Sequence, residues 1–204
     1  MINIQHHRDP RFSRSEEFHI AKVCSFDNQD VIELADTVAR AQASAQPFLP
    51  VVIYSYGGEA YSAFAMAGIL KSCQMPVATI IYGAAMSSAA LVFSCGNDGM
   101  RFMPENSTVM IHNGSSWLGH RSNQEISTEA SESQRIEDLY FSILNRNTNQ
   151  EPGYFENLIK ENKYTNVYLS PEDCIKHNIA TNIGTPIFNV YSKVNRTFDF
   201  ETIS

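Results

Sequence analysis

The sequence has no apolar run of membrane-spanning length, and its opening residues, Met1-Ile2-Asn3-Ile4-Gln5-His6-His7-Arg8, hold no signal-peptide core. These absences lead us to expect a cytoplasmic protein that does not enter a membrane. Basic clusters are missing too. Lys and Arg number 15 against 22 Asp and Glu, for a net charge of −7, which argues against a nucleic-acid surface. The four cysteines (Cys24, Cys73, Cys95, Cys174) lack metal-ligand spacing and read as reduced core residues rather than disulfides. The pair His6-His7 has no third or fourth ligand at suitable spacing, so no metal is expected, and no cofactor either. Internal repeats and low-complexity segments are absent, which excludes a solenoid.

What is present fits one domain: 204 residues are enough to bury a real core. Residues 1–17 are polar and read as an arm, and 192–204 as a polar tail. Between them, apolar runs and helical stripes alternate. Phe18 to Ser25 reads as a first strand. A helix from about Asp30 to Gln46 follows, capped by Asp27 or Asn28, with Val31, Leu34, Ala35, Val38 and Ala39 on its inner face. Leu49 to Tyr56 is a buried strand ended by Gly57-Gly58, and a helix over 59–73 has Ala60, Ala63, Phe64, Ala67 and Leu70 inside. Short strands are expected at 101–103 and 107–112, and a long helix over about 124–149. A helix over 152–161, a short strand over 166–169, a capped helix beginning Ser170-Pro171 and a last strand over 183–191 complete the pattern. Alternation of β and α with short connections implies an α/β domain with a largely parallel sheet.

The informative stretch is Ile80-Ile81-Tyr82-Gly83-Ala84-Ala85-Met86-Ser87-Ser88-Ala89-Ala90-Leu91. A β-branched run, 77–81, reads as a buried strand that stops at Gly83, and an apolar helix restarts over 88–95. A serine on such a turn is held out of the core, beside free N–H groups at a helix start, as an acyl-transfer nucleophile must be. Serine is equally a preferred helix cap, so this stretch alone leaves both readings open. A second element bears on the choice. In Thr108-Val109-Met110-Ile111-His112-Asn113-Gly114, a histidine closes an apolar strand where it could reach a neighbouring turn.

These pieces resemble the proteolytic subunit of the Clp protease, a Ser-His-Asp peptidase of the ClpP/crotonase fold. The matching stretches are Ile53-Tyr54-Ser55-Tyr56-Gly57-Gly58, the serine block from Gly83 to Ala90, the block from Arg101 to His112, and Tyr168-Leu169-Ser170-Pro171-Glu172. They run in the family's order over about residues 18–186. The resemblance implies a spiral of β-β-α units with a largely parallel sheet, in one peptidase domain over 18–191. The helix over 124–149 becomes a protruding "handle" through which two heptameric rings stack. It implies Ser87 as nucleophile, His112 as general base, and the N–H groups of Gly58 and Ser88 as oxyanion hole. Gly57 and the segment Asn113, Gly114 and Ser115 would hold the peptide or unfolded-protein substrate as an added strand.

Two departures qualify the likeness. Where the family has the triad's aspartate, this chain has Asn166, which can orient His112 but cannot stabilise an imidazolium by charge. Asp173 is a rival acid, better read as a helix-capping residue. Only 17 residues precede the first strand, leaving little counterpart of the axial loop that meets an ATPase ring. Docking to an unfoldase is therefore not expected, and a stand-alone homo-oligomer or a subunit of a mixed ring is. Three functions remain open: a serine endopeptidase in an oligomeric chamber, a weakly active or inactive ring subunit, and a crotonase-type acyl-CoA enzyme.

Overall fold

In the computed structural model, the described residues are 18–114, 123–163 and 165–187. The arm over 1–17, Ser115 and the whole C-terminal tail expected over 192–204 lie outside them. Seven strands form a single sheet: β1 (Ala21–Val23), β2 (Leu49–Ser55), β3 (Val77–Met86), β4 (Arg101–Met103), β5 (Thr108–Ile111), β6 (Val167–Leu169) and β7 (Asn182–Ile183). Six helices accompany them: α1 (Asn28–Ser44), α2 (Ala60–Lys71), α3 (Ser88–Phe93), α4 (Asn123–Asn147), α5 (Tyr154–Glu161) and α6 (Pro171–Lys176). All described strand pairings are parallel except β5 with β6, so the α/β, largely parallel expectation holds. Among the described residues no helix is long and apolar enough to cross a membrane.

The order β1-β2-β3-β4-β7 hides a fork that matters for the site. The first half of β3 pairs with β4, through Thr79 beside Arg101 and Ile80 beside Phe102. Its second half turns to β5, with Ala84 beside Thr108 and Met86 beside Met110. The strand therefore continues past Gly83, where the sequence suggested a stop. Gly83 sits at φ 83, and an added Cβ would lie 3.5 Å from the Tyr54 ring, so the glycine marks the bend where β3 changes partners.

Apolar faces account for the helices. Asp27 caps α1 by accepting the Asp30 N–H at 2.9 Å, and Leu34, Val38 and Ala41 are its buried face. Ala35 and Ala39, expected inside, are exposed, because the stripe follows the period-3.6 drift toward Ala41. On α2, Met66 and Ser62 join Ala63, Ala67 and Leu70 in the interior, while Ala60 and Phe64 are only partly covered. Every residue of α3 is buried, as a helix enclosed on all sides requires. Two other expectations need correction. Cys24 is exposed and Cys73 partly so, because β1 alternates inward and outward and places Cys24 just past its end. Of the last strand expected over 183–191, only Ile183 is in β7 among the described residues, since Gly184 takes φ 116 and Pro186 has no N–H to continue a ladder, and 188–191 lie outside them.

Arg101 is the largest fully buried side chain. Its Nε donates to the Ile179 carbonyl at 2.9 Å, Nη1 to Gly96 O at 3.1 Å, and Nη2 to Asn178 O at 3.0 Å. One guanidinium thus ties the turn after α3 and the chain after α6 to the sheet. Three carbonyls would lose their donor in Arg101→Leu, and unsatisfied buried polar groups cost about 1–3 kcal/mol each. We expect Arg101→Leu to lower unfolding free energy by about 3 kcal/mol or more in denaturant titration, far beyond the effect of an exposed substitution such as Arg40→Leu.

Candidate active site

Ser87 occupies the one-residue turn between β3 and α3. Its backbone sits at φ 54, ψ −122, outside the conformations a non-glycine residue prefers. Three contacts hold it there. The Ser87 N–H donates to Met110 O at 2.7 Å, and the Ser87 carbonyl accepts from Ala90 N–H at 2.9 Å and Tyr140 Oη at 3.0 Å. A strained strand-to-helix turn of this kind pushes the hydroxyl away from both elements.

The hydroxyl does not cap α3, for no side-chain capping bond forms there. Instead Ser87 Oγ lies 2.8 Å from His112 Nε2. The sheet explains the encounter. β5 runs parallel to the second half of β3 with Met110 beside Met86, so His112 leaves the end of β5 at the level where Ser87 leaves β3. Burial pushes the His112 pKa below its ordinary value of 6.5, and among the described residues no neighbouring charge contributes to the shift. The imidazole is thereby kept neutral near pH 7, the form that can take a proton from a hydroxyl.

The glycine pair packs directly on this serine. Gly57 has φ 95, and a Cβ there would fall 2.7 Å from Met86 O and 2.8 Å from Ser87 Cβ. At Gly58 a Cβ would fall 2.7 Å from Phe26 Cβ. Both positions therefore demand glycine on space, and Gly57 on conformation as well. The Gly57 N–H is held by the buried Ser55 hydroxyl at 3.2 Å, and Ser88 Oγ donates to Gly58 O at 2.7 Å. Gly58 and Ser88 are thus locked beside Ser87, at the mouth of the same cleft.

That cleft encloses about 590 Å³. Ser87, Ser88, His112, Gly58 and Gly114 form one wall, and the α4 side chains Ile136, Glu137 and Tyr140 face them. A cavity of this size lined by apolar groups and a few polar ones has the form of a ligand site. At its rim the Tyr61 hydroxyl bonds Glu132, which also binds Arg135 through 2.8 and 2.7 Å contacts, tying α2 to α4. Among the described residues no group of His, Cys, Asp and Glu could hold a metal ion.

Asn166 takes a position just beyond β6. The antiparallel register ends where Ile111 pairs with Val167, the chain neighbours of His112 and Asn166. Asn166 is exposed, and among the described residues no hydrogen bond joins its side chain to His112. Asp173 is occupied elsewhere: Ser170 N–H and Oγ both donate to its carboxylate, at 3.1 and 2.9 Å, which completes a capping box on α6. Asn113 and Gly114 follow His112 at the cleft, and Ser115 lies outside the described residues. Sequence reasoning missed Tyr140 and Glu137. Neither belongs to a local sequence motif, and only the packing of α4 on the serine turn brings them to the cleft.

The family model described as Clp protease matches residues 29–186, most of the chain. The chain belongs to the Clp protease family. Among curated relatives, the ATP-dependent Clp protease proteolytic subunit of Deinococcus radiodurans is 29% identical over 128 residues, or 62% of this chain. The match spans 60% of that relative's length. Among solved structures, an asparagine-to-aspartate mutant of ClpP1 from Listeria monocytogenes superposes with a TM-score of 0.71, covering 82% of this chain and 92% of that one. At 16% identity the likeness is one of fold, and it agrees with the mixed α/β architecture and its parallel sheet.

The environment of His112 carries a direct expectation. In an NMR titration of the assembled protein its ring should protonate with a midpoint below 6.5, because burial penalises the cation and no acid offsets it. A midpoint above 7 would reveal an acidic partner.

Proposed function

We propose that this chain is the proteolytic subunit of a serine-type endopeptidase, with Ser87 as nucleophile and His112 as general base. The observation that carries the reading is the 2.8 Å contact between Ser87 Oγ and His112 Nε2 at the edge of the cleft. In the first step Ser87 Oγ bonds to the scissile carbonyl carbon while its proton passes to His112 Nε2. The carbonyl oxygen becomes an oxyanion beside the Gly58 and Ser88 N–H groups, which stabilise it. The C–N bond then breaks, and His112 returns the proton to the leaving amine. Water, deprotonated by the same imidazole, attacks the ester carbon, and the acyl–oxygen bond breaks to regenerate Ser87. An extended substrate lies between Gly57 and the Asn113–Gly114 segment, continued by Ser115, pairing with their backbone.

Asn166 acts as the orienting member, accepting from His112 Nδ1–H when the segment closes on substrate. It supplies no negative charge, so the imidazolium formed during attack is less stabilised than with an aspartate. The exposed first half of α4, with Ile126 37% accessible, serves as the handle through which rings of copies stack around a closed chamber. One observation favours a second reading, a ring subunit of low activity serving structure or regulation. Among the described residues no acid shifts the His112 pKa, and Asn166 stands where a Ser-His-Asp triad has its aspartate.

A fluorophosphonate probe distinguishes the two. Covalent labelling should be lost in Ser87→Ala and slowed roughly a thousandfold in His112→Ala. No labelling of the assembled chain would favour the structural subunit. Peptidase activity should rise at least about tenfold in Asn166→Asp, since restored charge stabilises the imidazolium. An unchanged rate would remove Asn166 from the site. The acid limb of the kcat/KM profile should fall below pH 6.5 in the parent, because the depressed His112 pKa keeps the base free at lower pH. It should move upward in Asn166→Asp, because a carboxylate raises that pKa.

A further inference from the structure

We propose that Glu137 makes this cleft select a Lys or Arg side chain on the peptide residue seated beside Ser87. The proposal rests on the reading of the cleft as a peptide site and adds to it the class of peptide taken.

Glu137 lies on the cleft-facing side of α4, one turn before Tyr140, whose hydroxyl holds the Ser87 carbonyl. Three residues rise about 4.5 Å along the helix axis, and Glu137 and Ser87 line the same cleft. The group is partly buried, and the Gly114 backbone N–H, two residues past His112, bonds toward it. Burial pushes its pKa up, with Asp138 and Glu156 adding to the push, and among the described residues no cation offsets it. The two cations of α4 are Arg135 and Arg146, and Arg135 is already held by both oxygens of Glu132.

The rest of the wall suits a basic side chain. No Lys or Arg lines the cleft among the described residues, and its other acids are Asp27 and Glu59. Asp27 is engaged with the α1 N-terminus and Glu59 stands exposed at the mouth, which leaves Glu137 as the acid within. Phe26, Ile136 and Tyr140 offer apolar surface to the methylene stem of a Lys or Arg, whose charged head can then reach a carboxylate. A carboxylate in a half-desolvated pocket pairs with a cation at a net gain and leaves an uncharged side chain facing an unpaired acid. An aliphatic residue is therefore rejected twice, by a missing partner and by the desolvation it imposes on Glu137.

The test separates selection from hydrolysis. Fluorescent peptides that differ only in Lys or Leu at the residue before the scissile bond are titrated, by anisotropy, into full-length Ser87→Ala protein. The Lys peptide should bind at least about tenfold more tightly, as a charge-assisted bond of moderate worth gives. Adding Glu137→Gln should bring the two affinities within about threefold of each other by weakening only the Lys peptide. Adding Glu137→Leu should reverse the order. Equal affinities, no binding of either peptide, or a preference that survives Glu137→Gln would overturn the proposal. Charge selection in a chain that never reacts with fluorophosphonate would instead keep the inference and remove the hydrolase.

Discussion

The structure turns on one backbone conformation, Ser87 at φ 54 between a buried strand and a buried helix. Such a conformation costs about 1–3 kcal/mol and persists only where its surroundings fix it. Here they do so from three directions. Met110 takes its N–H, Tyr140 and Ala90 take its carbonyl, and the bare α-carbon of Gly57 lets a second backbone pack against it. Each of these belongs to a different segment, β5, α4, α3 and the turn after β2. The serine turn is therefore the place where four parts of the chain check one another, and its hydroxyl is left facing the cleft and His112.

The fork in β3 makes this possible. A strand with the same neighbours along its whole length would put β4 beside Ser87, and β4 ends in Met103 and Pro104. By bending at Gly83, β3 leaves β4 behind and gives its last three residues to β5, which ends in His112. The imidazole arrives by strand register, not by a long loop, and strands place side chains more firmly than loops do. Arg101 secures the other side of the fork by holding the carbonyls of Gly96, Asn178 and Ile179 together.

Much of this was legible in the residues, because the strongest signals are local. Asp27 and Ser170 announce helix starts through their own capping bonds, and both helices begin there. The apolar run ending at Ser87 and the one ending at His112 gave both partners of the central contact. What the sequence could not express was change of partner within one strand, since Gly83 reads as a stop when only period and propensity are weighed. Ala35 and Ala39 were misplaced for a similar reason: alanine fits either face, so the stripe alone did not decide. Glu137 was invisible because a glutamate in a charged helix reads as solvated surface until another element is packed over it.

The electrostatics of the cleft tie these points together. A carboxylate near His112 would raise its pKa, as an acid does when it stabilises an imidazolium. The ring instead shows the effect of burial alone, although Glu137 shares its cleft. The charge of Glu137 is thus not spent on the base. Its own pKa is raised by burial, and among the described residues it is offset by the Gly114 N–H and by no cation. Two groups in one cavity, a neutral imidazole and an underpaired carboxylate, are both left wanting charge of the same sign: the imidazole a proton during reaction, the carboxylate a cationic ligand. A bound Lys or Arg would compensate Glu137 but would oppose protonation of His112, because like charges in a half-desolvated site repel. Selection and catalysis can coexist here only if the cation sits on the far side of the carboxylate from the imidazole, along the α4 wall next to Ile136. The apolar surface available for a long side chain lies along that wall.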